Sequence, residues 1–189
     1  MSNITIEILK DDNIEQCRDL CNELMHLQQT RAHYLKESFD LMNFDTRMKY
    51  SYEKALEKQV ILVKDDGEPV GYIFSTIEMV TEDMRKFWPD WIAQVQNGVG
   101  FYPDWLELPQ KIGCLSNLYL REKYQGLGLG SKLCDMAMEW LGSFKDVPIT
   151  FVYISNGNDE AYDFYLKKNF TESHEVFGGF IKAAYYKHS

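Results

Sequence analysis

The sequence predicts a mixed α+β domain, on three observations. Strand-like apolar runs alternate with amphipathic helical stretches along the chain, an apolar strand runs through closely spaced glycines straight into a helix, and no Pro/Gly/Ser-rich linker divides the 189 residues. With 45% hydrophobic residues the chain can fill one core, so a single domain over residues 1–189 is expected.

Each element follows from local pattern. Ile4, Ile6 and Ile8 alternate as a strand. A helix from about Ile14 to Gln28 places Ile14, Cys17, Leu20, Cys21, Leu24 and Leu27 on one side, with Asp12 positioned to cap it. A second helical region spans Phe44 to Lys58. Val60–Lys64 and Val70–Met79 read as strands around Asp65-Asp66-Gly67-Glu68-Pro69, where Asp-Gly marks a hairpin. Residues 81–110 form an irregular insertion rich in aromatics and prolines, including Phe87, Trp88, Trp91, Phe101, Tyr102 and Trp105. Strand Ile112–Leu120, a glycine loop, helix 130–142, strand 149–154, helix 159–168 and an aromatic strand near Phe180–Tyr186 complete the chain.

Composition narrows the partners. A formal net charge of −9 argues against nucleic acid, whose phosphates need a basic patch, and is compatible with a cationic substrate. No apolar run approaches the ~18 residues of a membrane span, and the N-terminus lacks a basic segment followed by an apolar one, so a cytoplasmic protein off the membrane is expected. Cys17, Cys21, Cys114 and Cys134 are scattered without a second ligand pair and read as small buried residues, with no metal implied.

The chemistry concentrates at Leu118-Tyr119-Leu120-Arg121-Glu122-Lys123-Tyr124-Gln125-Gly126-Leu127-Gly128-Leu129-Gly130-Ser131. Beyond Gly130, Leu133, Met136, Ala137, Trp140 and Leu141 trace one helical face, so a helix N-terminus faces the loop. Glycines let the backbone approach a ligand closely, and the free first-turn amides attract anionic oxygens. The spacing fits neither a G-x-G-x-x-G dinucleotide fingerprint nor a triphosphate loop ending in Gly-Lys-Ser/Thr.

What stands here is Gln125-x-x-Gly128-x-Gly130, and further on Asn158-x-x-Ala161-x-x-Phe164-Tyr165-x-x-x-Asn169-Phe170. In both stretches the chain resembles the GNAT superfamily of acyl-CoA N-acyltransferases, whose patterns are Gln/Arg-x-x-Gly-x-Gly/Ala and Asn-x-x-Ala-x-x-Phe-Tyr-x-x-x-Gly-Phe. Asn169 replaces the last glycine, and Asn is the non-glycine residue that best tolerates the left-handed conformation closing a helix. The resemblance covers residues 1–186, most strongly 112–170.

The resemblance implies a mostly antiparallel sheet flanked by helices, whose two central strands run parallel and splay apart, with acetyl-CoA entering the splay. Its pantetheine arm would pair with the backbone of Leu118, Tyr119 and Leu120 as an added strand. Its pyrophosphate would meet Gln125 and the amides of Gly126, Leu127, Gly128, Leu129, Gly130 and Ser131. Asn158, otherwise a helix N-cap, would bond the pantetheine. Tyr165, otherwise an aromatic on a buried stripe, would lie beside the CoA sulfur and protonate the departing thiolate, since a phenol of pKa ~10 keeps its proton at neutral pH.

The expected activity is N-acetylation of a primary amine by direct transfer in a ternary complex, on a small cationic amine or a peptide or protein amine, with a homodimer implied by resemblance. The alternative is a non-catalytic acyl-CoA sensor with the same fold, to which the lack of a carboxylate in strand 112–120 lends weight. Glu78, Glu82, Asp83 and Glu107 are the carboxylates open to acting as base, each equally readable as a surface charge. His26, His33, Arg31, Tyr34, Trp88, Trp91 and Trp105 are open to lining an acceptor site or to ordinary packing.

Overall fold

A computed structural model describes residues 1–189. Seven strands form one sheet: β1 (Ile4–Ile8), β2 (Glu57–Asp65), β3 (Glu68–Val80), β4 (Gln110–Leu120), β5 (Ile149–Ser155), β6 (Thr171–Val176) and β7 (Ile181–Lys187), in the order β1-β2-β3-β4-β5-β7-β6. Every neighbouring pair is antiparallel except β4 and β5. That pair matches Gly113, Cys114 and Leu115 to Thr150, Phe151 and Val152 and goes no further, so the strands part from Ser116 onward. The expected splay is present.

The helices divide between the two faces. α1 (Arg18–Arg31), preceded by a 3-10 turn at Ile14–Cys17, buries Leu20, Cys21, Leu24 and Met25 on one face; α2 (Tyr50–Lys54) and α3 (Glu82–Arg85) are short. α4 (Leu129–Gly142) packs Leu133, Ala137 and Leu141 on the other face, beside Tyr165 of α5 (Asp159–Lys167). Most of the stability of such helices comes from burying these stripes rather than from intrinsic propensity.

Several elements depart from expectation. Asp12 does not cap α1: its carboxylate accepts from Tyr52 Oη at 2.6 Å, and the 3-10 turn begins without a side-chain cap. The second helix is a π-helical turn, Phe44–Lys49, closed by a reciprocal Asn43–Thr46 capping box and followed by α2, which stops at Lys54 because Leu56 and Glu57 are drawn into pairing with Ile77. The β2–β3 hairpin turns on Asp66 and Gly67, both at positive φ, as two-residue hairpins require. Asn169 sits at φ 69°, the left-handed closure that its replacement of glycine predicts.

Strand β6, Thr-Glu-Ser-His-Glu-Val, is an edge strand with mostly polar, exposed residues, so no apolar alternation announced it. The insertion folds over the α1 side of the sheet. Trp88 and Phe101 stand edge-on to Phe177 at 4.7 and 4.9 Å between ring centroids, Trp91 reaches Phe180, and Arg85 holds the carbonyls of Pro103 and Leu106.

His174 on β6 joins this segment through a hydrogen bond between Nε2 and the Gly100 carbonyl, 2.8 Å. Burial holds its imidazole below the ordinary 6.5, outweighing the Gly100 bond that pulls it up. A base whose folded pKa is depressed binds fewer protons folded than unfolded, so the stability it leaves intact above about pH 6.5 is lost as pH falls. The melting temperature is therefore expected to drop below pH 6.5, and less steeply in His174→Gln; parallel curves for the two proteins would contradict it.

Candidate functional site

The glycine loop is shaped to leave amides free. After the turn Glu122–Tyr124, Gly126 and Gly128 adopt φ 73° and 81°, and the first helical bond runs from Lys132 N–H to the Gly128 carbonyl. The amides before it lie outside the helical ladder, at the positive end of α4. A Cβ built on Gly126 or Gly128 meets nothing within 4 Å, so the glycines serve the turn and leave open space above it. Gln125 is exposed, but its side-chain amide donates to the Leu120 carbonyl at 2.8 Å. It therefore ties the loop to β4, with Oε1 making no hydrogen bond.

Lys168 was not singled out by the sequence. From the end of α5 its Nζ bonds Ser131 Oγ and Asp135 Oδ1, the latter at 2.9 Å, placing an ammonium beside the first turn of α4. A cation there is unfavourable to the helix dipole unless an anion is shared.

β4 presents its backbone to the gap. On the β3 side Leu118, Tyr119 and Leu120 pair with Ile73, Tyr72 and Gly71; on the β5 side they are past the last pairing. A bulge between Phe74↔Asn117 and Ser75↔Leu115 leaves Ser116 without a β3 partner. Tyr119 Oη and the Arg121 guanidinium both donate to Glu23 of α1, bracing this end of β4.

Asn158 occupies the N-terminal position of α5 but makes no capping bond; its Oδ1 accepts from Arg31 Nη1 at 3.0 Å, and its Nδ2 makes no hydrogen bond. The neighbouring Asn156 Oδ1 accepts from the amides of His33 and Tyr34, and Gly157 lies so close to α1 that a Cβ would stand 2.0 Å from the Arg31 carbonyl. Gly157 also has φ 83°. Gly157→Ala is expected to cost about 3 kcal/mol through strain and overpacking, seen as a large fall in melting temperature; an unchanged melt would mean the two segments are not clamped.

Tyr165 is buried against Phe164 and Phe170. Burial, with the neighbouring Cys134 and Cys114 thiols, pushes its phenol well above the ordinary value of 10, so it holds its proton.

On the α1 side of the splay lies a cleft of about 860 Å³. It reaches Cys114, Ser116 and Asn117 of β4 and Tyr153 and Ser155 of β5, and Glu78 and Arg47 line it. Glu78 makes no ion pair or hydrogen bond; burial raises its carboxyl, against a smaller opposing pull from Lys54. Glu82 instead pairs with Arg85, while Asp83 and Glu107 are exposed away from the cleft. Of the candidate carboxylates only Glu78 faces the cavity. His26, His33, Tyr34, Trp88 and Trp105 do not line it, whereas Trp91 does. Cys114 does too, but burial pushes its thiol up to about 12, which disfavours a thiolate nucleophile.

Chemically, the chain offers free first-turn amides at α4, a free strand edge on β4 and a partly desolvated carboxylate in the cleft, with the protonated Tyr165 phenol buried on the α4 side of the sheet. The Acetyltransferase (GNAT) family model matches residues 21–170. Among solved structures, a GNAT-family acetyltransferase from Streptococcus pneumoniae superposes with TM-score 0.60 at 15% identity, covering 98% of this chain and 99% of that one. PaiA N-acetyltransferase from Thermoplasma acidophilum, in complex with coenzyme A, gives 0.58 at 15%, over 97% and 99%. Arabidopsis thaliana Naa50, in complex with the bisubstrate analogue CoA-Ac-MVNAL, gives 0.59 at 14%, over 97% of each chain. At these identities the likeness is one of fold. No curated protein sequence matches the chain.

Proposed function

The chain belongs to the GNAT family of acetyltransferases, and from that premise we propose that it transfers an acetyl group from acetyl-CoA to a primary amine, directly, in a ternary complex. The observation that carries this is the unpaired edge of β4 at the splay, with Glu78 on the wall of the cleft that reaches it. Acetyl-CoA fits the residues present: the amides of Gly126 to Ser131 with Lys168 beside them suit a pyrophosphate, and Leu118 to Leu120 suit an extended amide-bearing arm. Bound there, it would supply an acyl group activated as a thioester.

The protein's own groups then divide the work. An alkyl ammonium of pKa ~10.4 is neutral in about one molecule in 2,500 at pH 7, a cost of about 4–5 kcal/mol. Glu78 lowers that cost by accepting the proton, directly or through a water. The backbone N–H groups of β4 at and beyond the Ser116 bulge, Leu118 among them, stabilise negative charge developing on the carbonyl oxygen. Tyr165 gives its proton to the departing sulfur. Asn158 Nδ2 and the Gln125-shaped loop orient the donor.

The sensor alternative rested on the missing carboxylate in β4; Glu78 of β3, on the cleft wall, supports the enzyme reading. The test is acetyl-CoA-dependent thiol release with a panel of diamines, amino acids and peptides, beside calorimetric titration of CoA. Turnover with any amine supports the proposal. Micromolar CoA binding without turnover would favour the sensor, and no CoA binding would overturn both.

A further inference from the structure

Arg18, Arg31, Arg85 and Arg121 each have a carboxylate within salt-bridge distance: Glu15 and Asp45, Glu160, Glu82, and Glu23 respectively. Arg47, the remaining arginine, has none and makes no side-chain hydrogen bond. The π-helical turn Phe44–Lys49, fixed by the Asn43–Thr46 box, carries it to the cleft wall, where its Cζ lies 5.9 Å from the centroid of the Trp91 ring. Its neighbours of consequence are the Cys21 and Cys114 thiols, both held neutral by burial. Burial is deep enough to lower the guanidinium pKa, yet the residue keeps accessible surface because it faces the cavity.

An enclosed guanidinium with five donors and no acceptor is costly unless a ligand supplies one. Planar, bidentate donation matches a carboxylate. The opposite charge, Glu78, stands elsewhere on the same wall, and Cys114 beside the splay feels both Arg47 and Glu78. Lys54 and Asp90 also line the cleft but are exposed, so Arg47 and Glu78 are its half-buried charges. At its mouth Tyr50, Leu56, Met79 and Phe87 expose large apolar surface.

We propose that the acceptor is a small amino acid-type molecule whose carboxylate is bound by Arg47 while its amine is presented toward Glu78 and the splay, with an apolar side chain on the rim. This rests on the acetyltransferase reading above and names the substrate class of that site. The cleft also differs from the chain as a whole: Arg47 and Lys54 balance Glu78 and Asp90 on its lining, so the net charge of −9 does not carry over to the site.

The test compares L-amino acids with their carboxamides and with diamines, at fixed acetyl-CoA, in wild type, Arg47→Gln and Arg47→Lys. Wild type is expected to prefer acids over amides by about 10- to 100-fold in kcat/KM, the worth of a charged hydrogen-bonded pair. Arg47→Gln should erase that preference while leaving the calorimetric Kd for CoA unchanged, which also shows that the variant folds; Arg47→Lys should restore part of it. Amides or diamines turned over as well as acids, or a preference that survives Arg47→Gln, would overturn the proposal and leave the acetyltransferase reading standing. If no amine is turned over, that reading fails and binding decides the other. N-acetyl amino acids that bind the CoA complex at least about tenfold tighter than their amides, in wild type and not in Arg47→Gln, support a carboxylate site; equal or absent binding removes it.

Discussion

Replacing Tyr165 by Phe is expected to lower kcat by roughly 10²-fold or more while leaving CoA affinity and folding nearly intact. The ring itself is structural: it packs edge-on against Phe164 and Phe170 and is buried on the α4 side of the sheet. Phenylalanine keeps that packing and removes only the hydroxyl, so a change in stability of more than about 1 kcal/mol is not expected. The hydroxyl has a different task. Burial holds the phenol well above its ordinary pKa, so at neutral pH it is a proton donor and nothing else. A departing thiolate needs such a donor, and Phe cannot be one. The discriminating set is thiol-release kinetics, calorimetric CoA titration and thermal melting on the two proteins. An unchanged kcat would remove the acid role and return Tyr165 to the core.

How much of this was legible beforehand depends on whether a feature is local. The glycine loop, α4, α5 and the closure at Asn169 follow from spacing and backbone preference within a few residues, and the structure carries them as expected. The splay followed from family likeness, because no local pattern says where two parallel strands stop pairing. Arg47 was hidden by the π-helical turn: a regular helix from Phe44 to Lys58 distributes its faces differently from a turn with i→i+5 bonds. Lys168 was hidden because its partners, Ser131 and Asp135, lie on another helix. Gln125 shows the converse. Its motif position was plain, but only the fold reveals that its amide donates to the Leu120 carbonyl. Glu78 was one carboxylate among several until the insertion folded over the sheet and enclosed it in a cavity that Glu82, Asp83 and Glu107 do not share.

Glu78→Gln carries the second large expectation, and its pH dependence is what separates a base from a bystander. Burial raises the Glu78 carboxyl above its ordinary 4.5, which makes the carboxylate a stronger base and places an acid limb on the wild-type profile of kcat/KM above pH 4.5. Activity should rise with pH through that limb as the carboxylate forms. In Glu78→Gln the rate at pH 7 should fall by roughly 10²-fold or more. The limb should vanish, and the residual rate should climb about tenfold per pH unit toward the amine's own pKa, because free amine must now come from solution. Stability moves the other way. A carboxyl whose folded pKa is raised is destabilising once pH exceeds its unfolded value, so removing the charge should leave the melting temperature at pH 7 equal or higher. A variant that melts normally and works at the wild-type rate, with the acid limb intact, would show that the proton leaves by another route. A slow, well-folded variant whose rate tracks free amine would fix Glu78 as the group that readies the nucleophile.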